Sequence, residues 1–153
     1  MKHNLSFYTQ YSQFYITDKL CQENTSDDFW TESAFNDRLA LTKCGLAVGT
    51  ECYGDVKGEL VVLEKANDTV DLNKYDHIVE GGIQVQSGIL NVLDCPNNSI
   101  ELEVNVKPGN YRIRVYSINL ASVVGDDGDD FYKIEIWPDN NMERKVLKRY
   151  VRK

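Results

Sequence analysis

Ser99–Ser117 reads Ser-Ile-Glu-Leu-Glu-Val-Asn-Val-Lys-Pro-Gly-Asn-Tyr-Arg-Ile-Arg-Val-Tyr-Ser. Apolar and polar residues alternate before and after Lys107–Asn110, which predicts two strands, each with one buried face. Proline and glycine at the centre of Lys107–Asn110 favour a tight turn. The stretch is therefore predicted to be a β-hairpin, and its symmetric register has apolar and polar pairs. These are Val106 with Tyr111, Val104 with Ile113, Leu102 with Val115, Asn105 with Arg112, and Glu103 with Arg114.

A two-stranded ribbon cannot bury its own apolar face, so the hairpin needs a second layer of structure. Aromatic and β-branched residues, or period-2 alternation, predict further strands elsewhere in the chain. Leu5–Thr17 is predicted to form one or two strands, broken near Ser12. A hairpin is predicted from Leu46 to Leu63, with a Gly54-Asp55 turn that pairs Val48 with Val61, and another from Tyr75 to Gln86, turning at Gly81-Gly82. Single strands are predicted at Ile89–Leu93 and at Phe131–Trp137, the second ended by Pro138.

One helix is predicted near residues 28–39. Asp28 is a candidate N-cap, and Trp30 with Ala34, like Phe35 with Leu39, has the i,i+4 spacing of one helical face. Frequent short strands with a single helix indicate a mainly β protein, an antiparallel β-sandwich. The 153 residues are predicted to form one domain.

The charge distribution is acidic overall and basic at one end. The formal net charge is −7, which disfavours direct nucleic-acid binding and favours a basic protein partner. Residues 142–153 carry six basic residues against Glu143, as a strand or a helix, and we expect this tail to be a solvated face or an arm that folds against the acidic body. The N-terminus has no signal-peptide pattern and no apolar run is long enough to span a membrane, which predicts a cytoplasmic protein without a membrane partner.

The four cysteines are Cys21, Cys44, Cys52 and Cys95. A chain of this length can build a core without cross-links, so without an export signal we expect reduced, mostly buried thiols. Their spacing contains no Cys-x-x-Cys pair, which argues against a zinc site.

Residues suited to catalysis are few. His3 and His77 are the two histidines, and no serine lies in a Gly-x-Ser-x-Gly elbow. His77 could pair with a cysteine in space, but the favoured interpretation is a strand histidine that packs or faces water. Glu101, Glu103 and Glu135 could supply paired carboxylates, yet their alternation favours an exposed sheet face. No phosphate-binding glycine motif is present, so neither a cofactor nor an enzymatic activity is predicted.

Asp126, Asp127, Asp129 and Asp130 cluster around Gly128 in a loop that we expect to be solvated. They do not fit the EF-hand pattern, so no metal is assigned to them. Charge complementarity instead makes these four aspartates the candidate contacts with a basic partner. An alternative is a small-ligand or carbohydrate-binding β-sandwich, with Ca²⁺ assistance at this loop.

The chain resembles the competence protein J (ComJ) type, whose members inhibit a DNA-entry nuclease. The resemblance covers most of residues 5–115, in order. It is carried by Ser6, Tyr11–Phe14, Trp30–Ala34, Gly45–Leu63, Tyr75, Gly82-Ile83 and Lys107–Tyr111, and Asp129–Pro138 is similar to the closing strand of related bacterial proteins, some of them immunity-type.

This resemblance implies a β-sandwich that neutralises a nuclease or toxin by stoichiometric binding and has no activity of its own. The basic tail after Pro138 and the loop at residues 125–130 depart from the family pattern. The resemblance transfers no inhibitory residue to a position of this chain.

Overall fold

The computed structural model describes residues 2–21 and 29–151. The helix and strands in this part of the chain are β1 Lys2–Tyr8, β2 Gln13–Asp18, α1 Glu32–Asp37, β3 Leu39–Leu41, β4 Gly45–Gly49, β5 Asp55–Val62, β6 His77–Val85, β7 Ile89–Leu93, β8 Ile100–Asn105, β9 Gly109–Ile118, β10 Phe131–Pro138 and β11 Lys145–Lys148. Short 3-10 turns lie at Leu72–Lys74 and Leu120–Ser122.

The strands form two sheets that pack as a β-sandwich, as predicted. The first sheet has the order β1-β5-β10-β9-β6-β11, and the second has the order β3-β4-β2-β7-β8. Neighbouring strands are antiparallel except β5 and β10, which are parallel. The inward side chains of both sheets share one apolar core, in which the Phe14 ring meets Phe7 at 5.5 Å and Tyr132 at 6.5 Å.

The stretch at residues 99–117 forms two strands as predicted, but these strands lie in different sheets. β8 pairs with β7 and β9 pairs with β6, so β6 to β9 form one long hairpin whose tip is the loop at residues 94–99. The hairpin bends from one sheet to the other at two adjacent corners. Gly88 lies at one corner and Lys107-Pro108 at the other. The two corners pack so closely that a Cβ on Gly88 would lie 3.2 Å from the Pro108 ring. The predicted register of Val106 with Tyr111 is therefore wrong, because Lys107-Pro108 is a corner of the sandwich.

Two other predicted hairpins are also wrong. β4 pairs with β2 and β3, whereas β5 lies in the opposite sheet between β1 and β10, so Val48 does not face Val61. Gly81-Gly82 lies inside the continuous strand β6. The two glycines allow close packing: a Cβ on Gly81 would lie 2.7 Å from the Leu41 side chain, and one on Gly82 would lie 2.4 Å from the Met142 backbone.

The predicted helix exists but is shorter than residues 28–39. Helix α1 begins after the N-cap Thr31, whose hydroxyl accepts a hydrogen bond from the Ala34 amide. It ends at Arg38, which adopts a left-handed conformation with φ of 62°. The candidate N-cap Asp28 lies outside the described residues.

The basic tail folds against the body of the protein, one of the two arrangements that we expected, and it does so as a strand. β11 adds to the edge of β6, and Arg144 and Arg149 both bind the Asp37 carboxylate, at 2.7 and 2.6 Å. No described helix is long and apolar enough to cross a membrane.

The expectation of four reduced cysteines is wrong for one pair. Cys21 and Cys44 form a disulfide. The Asp18 amide, at the end of β2, donates to the Cys44 carbonyl, and the Cα atoms of Cys21 and Cys44 lie 5.5 Å apart. Cys52 and Cys95 are free and buried, as expected.

Candidate functional site

An open groove of about 770 Å³ lies at one end of the sandwich, between the β1–β2 connection and helix α1. Its walls come from five separate segments of the chain. The lining residues are Tyr11, Ser12, Gln13, Trp30, Phe35, Asn36, Arg38, Gly49, Thr50, Glu51, Tyr53 and Tyr150. Aromatic side chains dominate this lining, so the groove can bury apolar or cationic groups of a binding partner.

The first wall is the turn between β1 and β2. Tyr11 and Ser12 have φ angles of 58° and 53°, a left-handed conformation that non-glycine residues rarely adopt. The flanks of the turn are fixed: the Thr9 hydroxyl donates to the Gln13 carbonyl at 2.6 Å, and the Gln10 amide donates to the Cys95 carbonyl at 2.8 Å. This anchoring holds the Tyr11 ring outward, where it is 61% exposed.

The second wall is helix α1 with its C-cap. Arg38 is left-handed there, and Gly49 packs on it so closely that a Cβ would lie 3.3 Å from the Arg38 Cα. The Arg38 guanidinium binds the Glu51 carboxylate at 2.7 Å and lies 5.5 Å from the centre of the Tyr150 ring. Both charged side chains are mostly buried, so this ion pair forms a rigid and electrically neutral part of the wall.

The aromatic side chains of the groove are held in different ways. Tyr11 and Tyr53 meet edge to face at 6.0 Å, across the two sides of the groove mouth. Trp30 donates its indole N–H to the Gln13 side chain at 2.6 Å. Phe35 projects from α1 and is 73% exposed. Exposed aromatic groups at a concave surface are typical of a protein-binding site.

The aspartate loop, residues 125–130, borders this groove. The Tyr53 amide donates to the Asp126 carbonyl at 3.1 Å, which ties the loop to the groove wall. Asp126, Asp127 and Asp129 are exposed. Asp130 is 1% exposed: its carboxylate accepts from the Tyr132 hydroxyl at 2.6 Å and from the Cys52 amide at 3.3 Å. Asp130 therefore supports the loop from inside, whereas the other three aspartates face solvent.

A second shallow depression continues from the groove, because the two share Glu51 and Tyr150. Leu120, Val123, Gly125 and Val151 contribute to its lining, and the exposed Val124 lies beside them in sequence. The aromatic groove, the depression and the aspartate loop thus form one continuous surface.

His77, which the sequence suggested as a catalytic histidine, has structural partners. His77 is buried: its Nε2 donates to the Asp37 carbonyl at 2.8 Å, and its Nδ1 accepts from the Tyr150 amide at 3.0 Å. Burial lowers the pKa of His77 to about 4, helped by the nearby Arg38 and Arg149. Both nitrogens are thus occupied, and neither contacts a cysteine.

The Cys52 thiol is not an activated nucleophile. Burial, followed by the neighbouring Asp130 carboxylate, raises the pKa of the Cys52 thiol to about 12. Cys95 accepts a hydrogen bond from the Tyr15 hydroxyl. Among the described residues, no group of three or more His, Cys, Asp or Glu side chains is arranged to hold a metal ion.

The candidate carboxylates separate into two environments. Glu101 and Glu103 are exposed on β8 as expected, but Glu135 is buried in the other sheet. Glu135 belongs to a polar network on the outer face of that sheet. In this network Glu80 accepts hydrogen bonds from Arg112 and Arg114 at 2.6 Å each, and the Tyr116 hydroxyl bridges Arg114 to Glu135. The prediction of an exposed face is wrong for Glu135, because the segments at residues 63–76 and 139–150 cover that face.

Sequence reasoning missed the groove, since its residues come from distant segments. In the structure Tyr11, Trp30 and Tyr53 lie outside the strands and the helix, whereas the sequence placed Tyr11 in a strand region, Trp30 in the helix and Tyr53 in a hairpin. Aromatic residues in loops are often displayed for binding, but their convergence depends on the pairing of sheets that the sequence did not reveal.

Comparison of the sequence with family models and with curated proteins finds no match. Among solved structures, the chain is similar to ComJ from Bacillus subtilis, described as an inhibitor of the DNA-degrading activity of NucA. The TM-score is 0.68 at 16% identity, covering 91% of this chain and 99% of ComJ. It is also similar to Crocagin biosynthetic gene J, with a TM-score of 0.57 at 16% identity, covering 92% and 99%. The chain therefore has a ComJ-like fold.

Proposed function

We propose that this protein is a non-enzymatic inhibitor that neutralises a nuclease or a nuclease-like toxin by stoichiometric binding. The observation that carries the proposal is the ComJ-like fold, which extends over 91% of the chain. At 16% identity the likeness concerns the fold, so the inhibitory role and the target are the proposed part.

The charge of the chain supports a protein target of this kind. Nucleases bind phosphates and present basic clefts, and a chain with a net charge of −7 attracts such surfaces at long range. Binding in a cleft requires no catalytic residue of the inhibitor. The hydrogen bonds of His77 and the protonated state of Cys52 agree with function by contact alone.

Titration of purified NucA with the purified chain tests the proposal. We expect loss of DNA degradation with an endpoint near one inhibitor per nuclease, and weaker inhibition as salt rises from low to moderate concentration. The chain alone should neither degrade DNA nor retard it on a gel. Undiminished activity of NucA, and of any nuclease encoded beside this chain, would refute the proposed function.

We also propose that the inhibitor acts in the cytoplasm. The Cys21–Cys44 disulfide opposes this placement, because disulfides are rare in reducing compartments. Alkylation of thiols in intact cells, followed by mass spectrometry, separates the two cases: cytoplasmic protein should carry label on Cys21 and Cys44, and exported protein should not.

A further inference from the structure

We infer that the aromatic groove and the adjoining aspartate loop form the surface that receives the inhibited protein. We further infer that the groove takes an extended segment with apolar side chains and a Lys or Arg at the end that meets the aspartate loop. This inference deepens the proposed function and rests on it. It moves the centre of recognition from the aspartates, which charge alone suggested, to the aromatic groove beside them.

The first argument is the distribution of exposed apolar groups. Of the eight exposed large apolar side chains in the described residues, four lie in or beside the groove and its neighbouring depression: Tyr11, Phe35, Val124 and Val151. A soluble protein seldom gathers such groups at one concave place unless a partner covers them. Tyrosine and tryptophan are also the residues that contribute most often to the affinity of protein interfaces.

The second argument is the charge around the groove, which differs between its two ends. At the Tyr53 end, Asp126, Asp127 and Asp129 are exposed, and Lys57 brings one positive charge by donating to the Gly128 carbonyl at 3.3 Å. The lining itself is neutral, because Arg38 is paired with Glu51. A Lys or Arg of the partner is therefore attracted to the Tyr53 end, where tyrosine rings can also stack on it.

The α1 side of the groove carries one net positive charge, from Arg144 and Arg149 with Asp37. Arg149 donates to the carbonyl of Asn36, a lining residue, and shares the Asp37 carboxylate with Arg144. A uniformly basic segment would be repelled there. The charge pattern consequently fixes a direction for the bound segment, with its Lys or Arg at the Tyr53 end.

The third argument is rigidity. Tyr11, Ser12 and Arg38 hold left-handed backbone conformations around the groove, and each is fixed by hydrogen bonds or close packing. Such conformations persist where the surrounding structure determines them. A surface prepared in this way loses less conformational entropy on binding than a mobile loop does.

Substitution of groove residues is the direct test, with NucA as the target and its inhibition as the readout. Tyr11→Ala and Phe35→Ala should each weaken inhibition roughly tenfold or more. Ile100→Ala is the control, because Ile100 is an exposed large apolar residue on β8 that lines neither the groove nor the neighbouring depression. Thermal unfolding of each variant verifies that it remains folded.

Charge is tested in the same assay. Asp126→Asn with Asp127→Asn should slow association several-fold at low salt, and the difference should shrink at high salt. Asp68→Asn removes an exposed charge elsewhere on the molecule and serves as the control.

A probe independent of the nuclease locates the surface. Titration of ¹⁵N-labelled protein with a capped Leu-Leu-Leu-Arg peptide, which has one basic residue at one end, should shift the indole N–H signal of Trp30, in the groove, and leave that of the buried Trp137 in place. A Leu-Glu-Leu-Glu peptide should shift neither signal.

The outcomes separate the two proposals. If NucA stays active but the basic peptide shifts Trp30, the proposed function fails and the groove remains a site for basic segments. If NucA is inhibited equally by wild type, Tyr11→Ala and Phe35→Ala, and the peptide shifts signals outside the groove, the inference is overturned.

Discussion

Glu80 is the residue on which the buried charges of the first sheet converge. It binds two guanidinium groups at 2.6 Å, those of Arg112 and Arg114, with 9% of its side chain exposed. Glu80→Gln would remove one negative charge and leave those cations undercompensated. We expect a loss of about 3 kcal/mol in the free energy of unfolding, measured with urea.

Glu101→Gln is the control for Glu80→Gln, since Glu101 is exposed on the other sheet. It should change stability by less than about 0.5 kcal/mol. Equal effects of the two substitutions would show that the network does not contribute as we describe.

His77 makes stability depend on pH. Its pKa is near 4 in the folded chain and about 6.5 when unfolded, so below pH 6.5 the unfolded chain binds more protons than the folded chain. Stability should therefore fall as the pH drops from 6.5 to 4, by at most about 3 kcal/mol.

His77→Gln keeps a donor and an acceptor for the two backbone partners but does not titrate. Urea midpoints for this variant should change much less over the same pH range. The Asp37 carboxylate does not confound this window: although burial opposes it, hydrogen bonds from Arg149 and Arg144 lower its pKa, so its contribution is lost at lower pH. Identical pH profiles for the variant and the wild type would contradict our assignment.

At the scale of elements, the sequence predicted most strands correctly but not their partners. Alternation in residues 99–117 reports which side chains face inward, and that was correct for Val104, Ile113 and Val115. It does not report which sheet a strand joins, because a corner and a hairpin turn use the same Pro-Gly chemistry. Gly81-Gly82 failed similarly: the glycines admit Met142 and Leu41, which contact β6 from distant positions.

The aspartate loop bears on the alternative of Ca²⁺-assisted ligand binding. Asp130 turns inward to Tyr132, and the Asp127 carboxylate accepts from the Gly128 amide at 2.9 Å, so these carboxylates do not converge on one point. We expect millimolar Ca²⁺ to leave the melting temperature unchanged within error. An increase of several degrees that disappears in Asp127→Asn with Asp129→Asn would favour the ligand-binding alternative.

At the scale of the whole molecule, the sandwich and its acidic exterior could be predicted from composition and periodicity, and the candidate site could not. The groove exists because α1, the β1–β2 turn and Tyr150 of the tail meet at one end of the two sheets. Each of these contacts joins residues far apart in the sequence, and the alternation of polar and apolar residues within one segment carries no information about them. The aspartates were visible because they are adjacent in sequence, yet even there the burial of Asp130 depended on distant Cys52.

The Cys21–Cys44 disulfide should contribute both to stability and to the proposed binding by the groove. It closes a segment with a sequence separation of 23 residues, and this segment contains Trp30, Phe35 and Arg38 of the groove wall. Replacing both cysteines by serine should lower the free energy of unfolding by about 3 kcal/mol, because the unfolded chain regains the entropy of an open loop. The loosened wall should also weaken inhibition of NucA.

Dithiothreitol should reproduce both effects in the wild type and have no further effect on the double-serine variant, in which the buried Cys52 and Cys95 are the remaining cysteines. Urea unfolding and NucA titration, each with and without reductant, measure the two effects on the same samples. Loss of stability with unchanged inhibition would mean that the groove wall holds its shape without the cross-link. Unchanged stability would mean that the disulfide adds nothing to the stability of the chain. In that case the core and the contacts of Asp37 with Arg144 and Arg149 would be enough to hold the segment in place.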